Sequence, residues 1–253
     1  MASLTEIGES LEDLLENDDW AGIDASVNGI QVENSGEVEK AAFAVDACVE
    51  TIDEAASRDA DLLVVHHGIV WGSIERLTGQ SYDRFRRLVE NDIALYVSHL
   101  PLDAHGEIGN NAVLIRELGG SPDEGFGEIG GRDVGYVGEL DESVGFEAFV
   151  DRVKSVTGFD PDVLGFGDDE VERVAVLTGA GGGHIDEAAD VDADVFVSGE
   201  PKHRAYHDAK EHGVNAVFAG HYHTETFGVR ELQRVVEEEF GVATTFIDAP
   251  TSV

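Results

Sequence analysis

The stretch Gly220–Gly228, GHYHTETFG, sets His221, His223 and Glu225 at alternate positions directly behind the apolar run NAVF. Imidazole and carboxylate are the side chains that bind divalent metal, so the spacing raises a question of geometry. Extended backbone would turn His221 and His223 to one side. A helical turn would instead pair His221 with Glu225. Two further segments carry the same chemistry: DLLVVHH (61–67) ends in the tandem His66 and His67, and IALYVSH (93–99) ends in His99, with Asp103 four residues on. A single histidine behind a strand is by default a polar loop residue. A tandem pair is harder to set aside, because neighbouring strand residues point to opposite faces. The two rings can serve one site only if the chain turns, as Gly68 would permit, or if each binds a different ion.

Counting donors gives three imidazoles (His66, His67, His221) and two carboxylates (Asp103, Glu225). Two four-coordinate ions need about eight contacts, so water or substrate would have to complete the set. That is an open, reactive site, in which two ions about 3.5–4 Å apart activate a shared water. Cys48 is the only cysteine, so the donors are nitrogen and oxygen. They suit Zn, Fe, Mn or Co and disfavour an iron–sulfur cluster. The other histidines rank lower. His105 falls in a loop, His184 follows a glycine run, and His203, His207 and His212 fall on a predicted helix. The glycine run TGAGGG (178–183) lacks the Lys-Ser/Thr of a phosphate-binding loop and reads as a flexible turn.

The elements that must position these groups alternate. Apolar runs at 41–47, 61–67, 93–99, 133–140, 171–180, 193–199 and 215–220 read as strands, several of them buried on both faces. Helical patterns separate them, and ATTFIDAP closes the chain as a last strand. The fold class is therefore α/β, and in such sheets ligands gather beyond the carboxyl ends of the strands, where His66, His67, His99 and His221 fall. The glycine- and acid-rich segment 119–132 reads as a loop or linker. It divides the chain into a domain of residues 1–122, completed by 221–253, and an inserted α/β domain of residues 123–220. The site is expected at the strand ends, between or beside the two.

Composition narrows the partners. The 253 residues carry 53 Asp plus Glu against 16 Lys plus Arg, a net charge of −37, with acids spread along the whole chain. Such self-repulsion strains a compact state and becomes tolerable at molar salt, where the screening length falls to about 3 Å. The surface is that expected of a halophilic, cytoplasmic protein. No basic footprint for nucleic acid is present. The N-terminus has neither the basic start nor the apolar run of a signal peptide, and no apolar stretch is long enough to cross a membrane.

In this order, NGIQVEN, VVHHGIVW, SHLPLDAHGEIGNN, SGE and GHYHTETFG resemble the NGG-interacting-factor-three-like proteins. These are also known as type 2 homologues of GTP cyclohydrolase I or as dinuclear metal centre proteins. The resemblance runs from about Trp20 to the closing FIDAP. It implies two α/β domains, a ring-shaped homohexamer and two metal ions per subunit, held by His66, His67, Asp103, His221 and Glu225. It also implies that His99 and Glu200 lie near the site as supporting, proton-transfer or substrate groups. His223 departs from the small residue usual there and is read as a loop or supporting residue. Two functions are consistent with such a centre. One is a metal-dependent hydrolase of a nucleotide-, pterin- or amide-like small molecule, with Glu200 or His99 moving the proton. The other is a non-enzymatic metal carrier or scaffold.

Overall fold

The computed structural model of the chain describes residues 2–253. In chain order the elements are β1 (Ala2–Ser3), α1 (Leu4–Leu15), a 3-10 turn (Asn17–Trp20), β2 (Gly29–Val32), β3 (Glu37–Val38), β4 (Lys40–Asp46), α2 (Val49–Ser57), β5 (Leu62–His67), α3 (Gly79–Glu90), β6 (Ala94–Val97), α4 (Leu100–Ala104) and α5 (Asn110–Glu117). There follow β7 (Gly120–Ile129), β8 (Arg132–Gly145), α6 (Phe146–Thr157), β9 (Asp162–Leu164), β10 (Glu170–Leu177), α7 (Ile185–Asp190), β11 (Val195–Ser198), α8 (Ala205–His212), β12 (Asn215–Phe218), α9 (His221–Thr224), α10 (Thr226–Phe240) and β13 (Ala243–Phe246).

The fold is mixed α/β, as the alternation of patterns implies, and the chain forms two compact units. The first holds the residues up to Leu102 together with Val229–Ala249; the second holds Asp103–Gly228 and Pro250–Val253. These junctions differ from the sequence-based boundaries at 122/123 and 220/221. The reason is α5: its Leu114 and Ile115 are fully buried in the apolar core that also contains Phe149, Val174, Val197 and Val217, so the helix belongs with the second sheet.

The first unit is built on a five-stranded sheet in the order β13-β4-β5-β6-β2. Its β4, β5 and β6 run parallel, with Val64 between Phe43 and Tyr96, and α2 and α3 make the crossovers that parallel neighbours require. Burial on both faces explains the near-continuous apolar runs. Ala42, Leu63, Val65, Leu95 and Val97 sit in one core with Ile52 of α2 and Leu88 of α3. The second unit is built on a six-stranded sheet in the order β7-β8-β10-β11-β12-β9. Its β10, β11 and β12 are parallel, with α7 and α8 as crossovers.

Two local expectations fail. The segment 119–132 is no linker. It forms β7 and the start of β8, an antiparallel pair running from Gly120↔Leu140 to Ile129↔Arg132. Two glycines of this pair are demanded by close packing: a Cβ on Gly120 would stand 2.7 Å from the Glu139 carbonyl oxygen, and one on Gly135 would stand 2.6 Å from that of Val176. The strand before GHYHTETFG ends at Phe218, short of the apolar run read as a strand to 220, and α9 begins directly at His221.

Candidate metal centre

In the first unit three parallel strands bring polar side chains to one sheet edge. β4 ends in Asp46, which pairs in register with His67 at the end of β5. β6 ends at Val97, followed by Ser98 and His99. His66, His67 and His99 form one cluster, each offering a nitrogen within 4.8 Å of the others. Their rings are 4.6 Å apart for His66 and His67 and 5.0 Å apart for His66 and His99. The tandem pair converges although the strand alternates, because β5 ends there.

Each ring is held by the same nitrogen. His66 Nδ1 lies 2.9 Å from the Ser98 carbonyl oxygen, His67 Nδ1 3.0 Å from Asp46 Oδ1, and His99 Nδ1 2.9 Å from Asp24 Oδ1. A carbonyl or carboxylate oxygen can only accept, so Nδ1 carries the proton and Nε2 the lone pair. Metal-binding histidines are oriented in this way. Asp24 is itself fixed by the backbone N–H groups of Ser26 and Leu100 and by the Asn28 amide. Burial pushes its carboxyl up, but His99, Asn28 and Ser26 outweigh this and hold it below the usual carboxylate range.

In the second unit β10, β11 and β12 end in the same way and lead into Gly179, Glu200 and His221. His221 Nδ1 lies 2.5 Å from Glu200 Oε1, so this ring too is held at Nδ1. One turn along α9, Glu225 Oε2 lies 3.2 Å from His221 Nε2. The helical pairing is therefore the one realised in GHYHTETFG. Burial lowers the His221 pKa, yet Glu225 and Glu200 more than offset it and raise it to about 9. A proton shared between imidazole and carboxylate occupies the place that a cation would take.

Asp103 is buried, accepts from Asn110 Nδ2 at 2.9 Å and from the Thr178 hydroxyl at 3.3 Å, and offers an oxygen within 4.8 Å of one from Glu225. Asn110 and Asn111 are fully buried. Asn110 Oδ1 accepts from Gly228 N–H and Asn111 Oδ1 from Thr178 N–H, which ties the start of α5 to the end of β10 and the first turn of α10. His223 is turned elsewhere: its Nδ1 faces the Thr157 carbonyl oxygen at 3.2 Å and its ring packs on Phe159. His105 accepts from the backbone N–H groups of Glu107 and Ile108, and His184 pairs with Glu187.

Sequence reasoning missed the braces Asp24, Asp46 and Ser98, and it misread the glycines. Gly179 has φ +59°, and a Cβ there would collide with the Glu225 carboxylate and stand 3.1 Å from His221 Nε2. A Cβ on Gly199 would stand 2.8 Å from the His221 Cα. TGAGGG is thus a packed turn that makes room for Glu225, not a flexible one. Asp46, the one polar residue in the apolar run AAFAVDA and placed at its end, was the readable signal for a brace.

Strand-end histidines with oriented tautomers, beside buried carboxylates, define a mixed α/β protein whose His, Asp and Glu clusters could hold metal. The chain belongs to the Duf34/NIF3 (NGG1p interacting factor 3) family, whose profile matches residues 2–252. A protein of Archaeoglobus fulgidus named GTP cyclohydrolase 1 type 2 homolog is 42% identical over 251 residues, 99% of this chain and 100% of its own length. A protein of Halobacterium salinarum with the same name is 42% identical over 254 residues, 99% of each chain. The crystal structure of TTHA1606 from Thermus thermophilus is similar at a TM-score of 0.90 with 38% identity, covering 99% of this chain and 100% of that one. Among the described residues no helix is long and apolar enough to cross a membrane.

Proposed function

We propose that the protein is a metal-dependent hydrolase of a nucleotide-, pterin- or amide-like small molecule, with His66, His67, Asp103, His221 and Glu225 serving one dinuclear centre. The observation that carries this reading is the shared bracing of the histidines. His66 and His67 present Nε2 as the lone-pair nitrogen, which is the form a divalent ion binds, and His221, braced at Nδ1 by Glu200, turns Nε2 to the Glu225 carboxylate, where a bound ion would replace its proton. Each unit alone is short of donors for two ions, so the five residues are read as one set.

Two bound divalent ions supply Lewis-acid activation of water and of the attacked group. The chain's own residues orient and move protons. Ser98 and Asp46 hold the His66 and His67 rings at Nδ1 and aim their Nε2 atoms. Asn110 and Thr178 fix the Asp103 carboxylate. Glu200 retains one oxygen beyond its bond to His221, and its side chain is 35% exposed, so it can exchange a proton with solvent. His99, backed by Asp24, is the second proton carrier.

The test is metal analysis and turnover on protein kept at high salt. The expected result is about two equivalents of metal per chain and turnover of at least one member of a panel of phosphoesters, nucleotides, pterins and amides, lost in Asp103→Ala. No turnover across the panel, together with ready transfer of metal to an acceptor, would favour a carrier. We further propose a cytoplasmic homohexamer suited to molar salt. Tyr82 and Val89, seven positions apart on α3, are both exposed large side chains on an otherwise strongly acidic protein, as a self-association face requires. Light scattering of the full chain reads its mass directly.

A further inference from the structure

Directly after the tandem histidines the chain builds a feature that metal binding does not use. Trp71 is held rigidly by its backbone. It bridges Ser26, Val27 N–H donates to the Val70 carbonyl at 3.2 Å, and Gly72 N–H donates to that of Ala25 at 2.7 Å. Gln31 Oε1 accepts from the N–H groups of Ile69 and Val70, both at 2.9 Å. The indole N–H is already used, donating to the Gly68 carbonyl at 3.2 Å, so the ring has no hydrogen bond left to offer a ligand, only a face. Its centroid lies 5.0 Å from His99, edge to face, and 6.2 Å from His67, yet the residue remains 45% exposed. A large aromatic, pinned in place and half bare beside a histidine cluster, is set to stack on something planar.

Trp71 also forms one wall of a cleft of about 500 Å³, lined further by Ser73, Arg76, Leu77, Ser81 and Phe85, a volume suited to a small ligand. Arg76 is the second feature. The chain has 53 acidic residues, and Arg58, Arg86, Arg87, Arg173 and Arg234 each hold a carboxylate. Among the described residues Arg76 has no such partner. A guanidinium left unpaired in so acidic a chain is available to an anion from outside.

We propose that Trp71 and Arg76 form a recognition subsite for a planar nitrogen heterocycle bearing a phosphate or carboxylate, the ring stacked on the indole and the anion on the guanidinium. The proposal rests on reading the neighbouring histidines as a reaction centre, and it narrows the substrate to heteroaromatic anions, against simple amides or sugar phosphates.

The experiment uses metal-loaded full-length protein at high salt, with GMP as probe and guanosine and ribose 5-phosphate as its two halves. Binding is followed by calorimetry and by tryptophan fluorescence, to which the buried Trp20 contributes a constant background. Trp71→Ala is expected to weaken GMP and guanosine by about tenfold or more and to leave ribose 5-phosphate unchanged. Arg76→Gln is expected to weaken GMP and ribose 5-phosphate by a similar factor and to spare guanosine. Trp71→Phe, which keeps a stacking face, should stay within about threefold of the parent, and equal metal content in all variants verifies their folding. GMP affinity that is the same in every variant, or absent at millimolar ligand, would overturn the proposal. So would a Trp71 emission that is shielded from acrylamide and indifferent to GMP, since another copy of the chain would then cover the ring. Binding is read without turnover, so a protein that binds GMP by these rules but hydrolyses nothing refutes the hydrolase reading alone.

Discussion

The two sheets carry the same local device and fill it differently. In each, three neighbouring parallel strands linked by two helices end along one edge: β4, β5 and β6 in the first unit, β10, β11 and β12 in the second. The first edge presents Asp46, His67 and His99; the second leads into Gly179, Glu200 and His221. The first is a nitrogen cluster with its carboxylates placed behind the rings. The second puts a glycine where the first has a side chain, and the space admits Glu225 from the turn after β12. Strand ends supply positions, and the residue just beyond each strand decides whether a position holds a donor, a brace or room.

That contrast can be broken one half at a time. The largest effect is expected from His66→Ala, which deletes a fully buried proposed ligand whose ring is already fixed at Nδ1. Metal affinity should fall by more than the roughly 100-fold reached on losing a supporting partner, read as metal content after dialysis against a chelator. Asp46→Ala removes only the brace on His67, so a fall of about 10- to 100-fold is expected. A loss equal to that of His66→Ala would mean that Asp46 binds metal itself.

Gly179→Ala tests the second edge. The left-handed backbone and the collision with Glu225 together should cost about 1–3 kcal/mol in a denaturant titration at high salt. Metal binding should weaken through Glu225, with the His66–His67–His99 cluster left intact. A neutral Gly179→Ala would show that the glycine is incidental. The smallest effect is one of pH on metal-free protein. The folded His221 pKa of about 9 lies above its ordinary 6.5, so the protonated ring favours the folded state. That stability is complete below about pH 6.5 and is lost as pH rises through about 9. The melting temperature should therefore fall by a few degrees over this window, and His221→Gln should flatten the dependence. Bound metal should abolish it, because the ion displaces the proton.

Much of this was legible in advance where a residue's role follows from its neighbours in sequence. Buried parallel strands are apolar on both faces, so polar residues at their ends stand out, and His66, His67, His99 and His221 were found in that way. The β7–β8 pair was not, because glycine and acid over 119–132 imitate a loop. Gly120 is there because the Glu139 carbonyl passes too close for a side chain, and Gly125 because the Asp133 side chain does. The four-residue α9 is too short to show a helical period, so the pairing of His221 with Glu225 rather than His223 could not be read from spacing. Asp24 was invisible for another reason: among 53 acidic residues nothing local separates it from a solvated surface charge.

The sequence by itself determined the α/β alternation, the nitrogen and carboxylate character of the candidate donors, and a net charge of −37, since each depends on residue type and period alone. Only the tertiary structure decided which nitrogen of each histidine is left as a donor, which aspartates stand behind the rings, and that Gly179 must remain a glycine. Those depend on atoms brought within about 3 Å by strands far apart in the chain, and hydrogen bonding and van der Waals exclusion act only at that range.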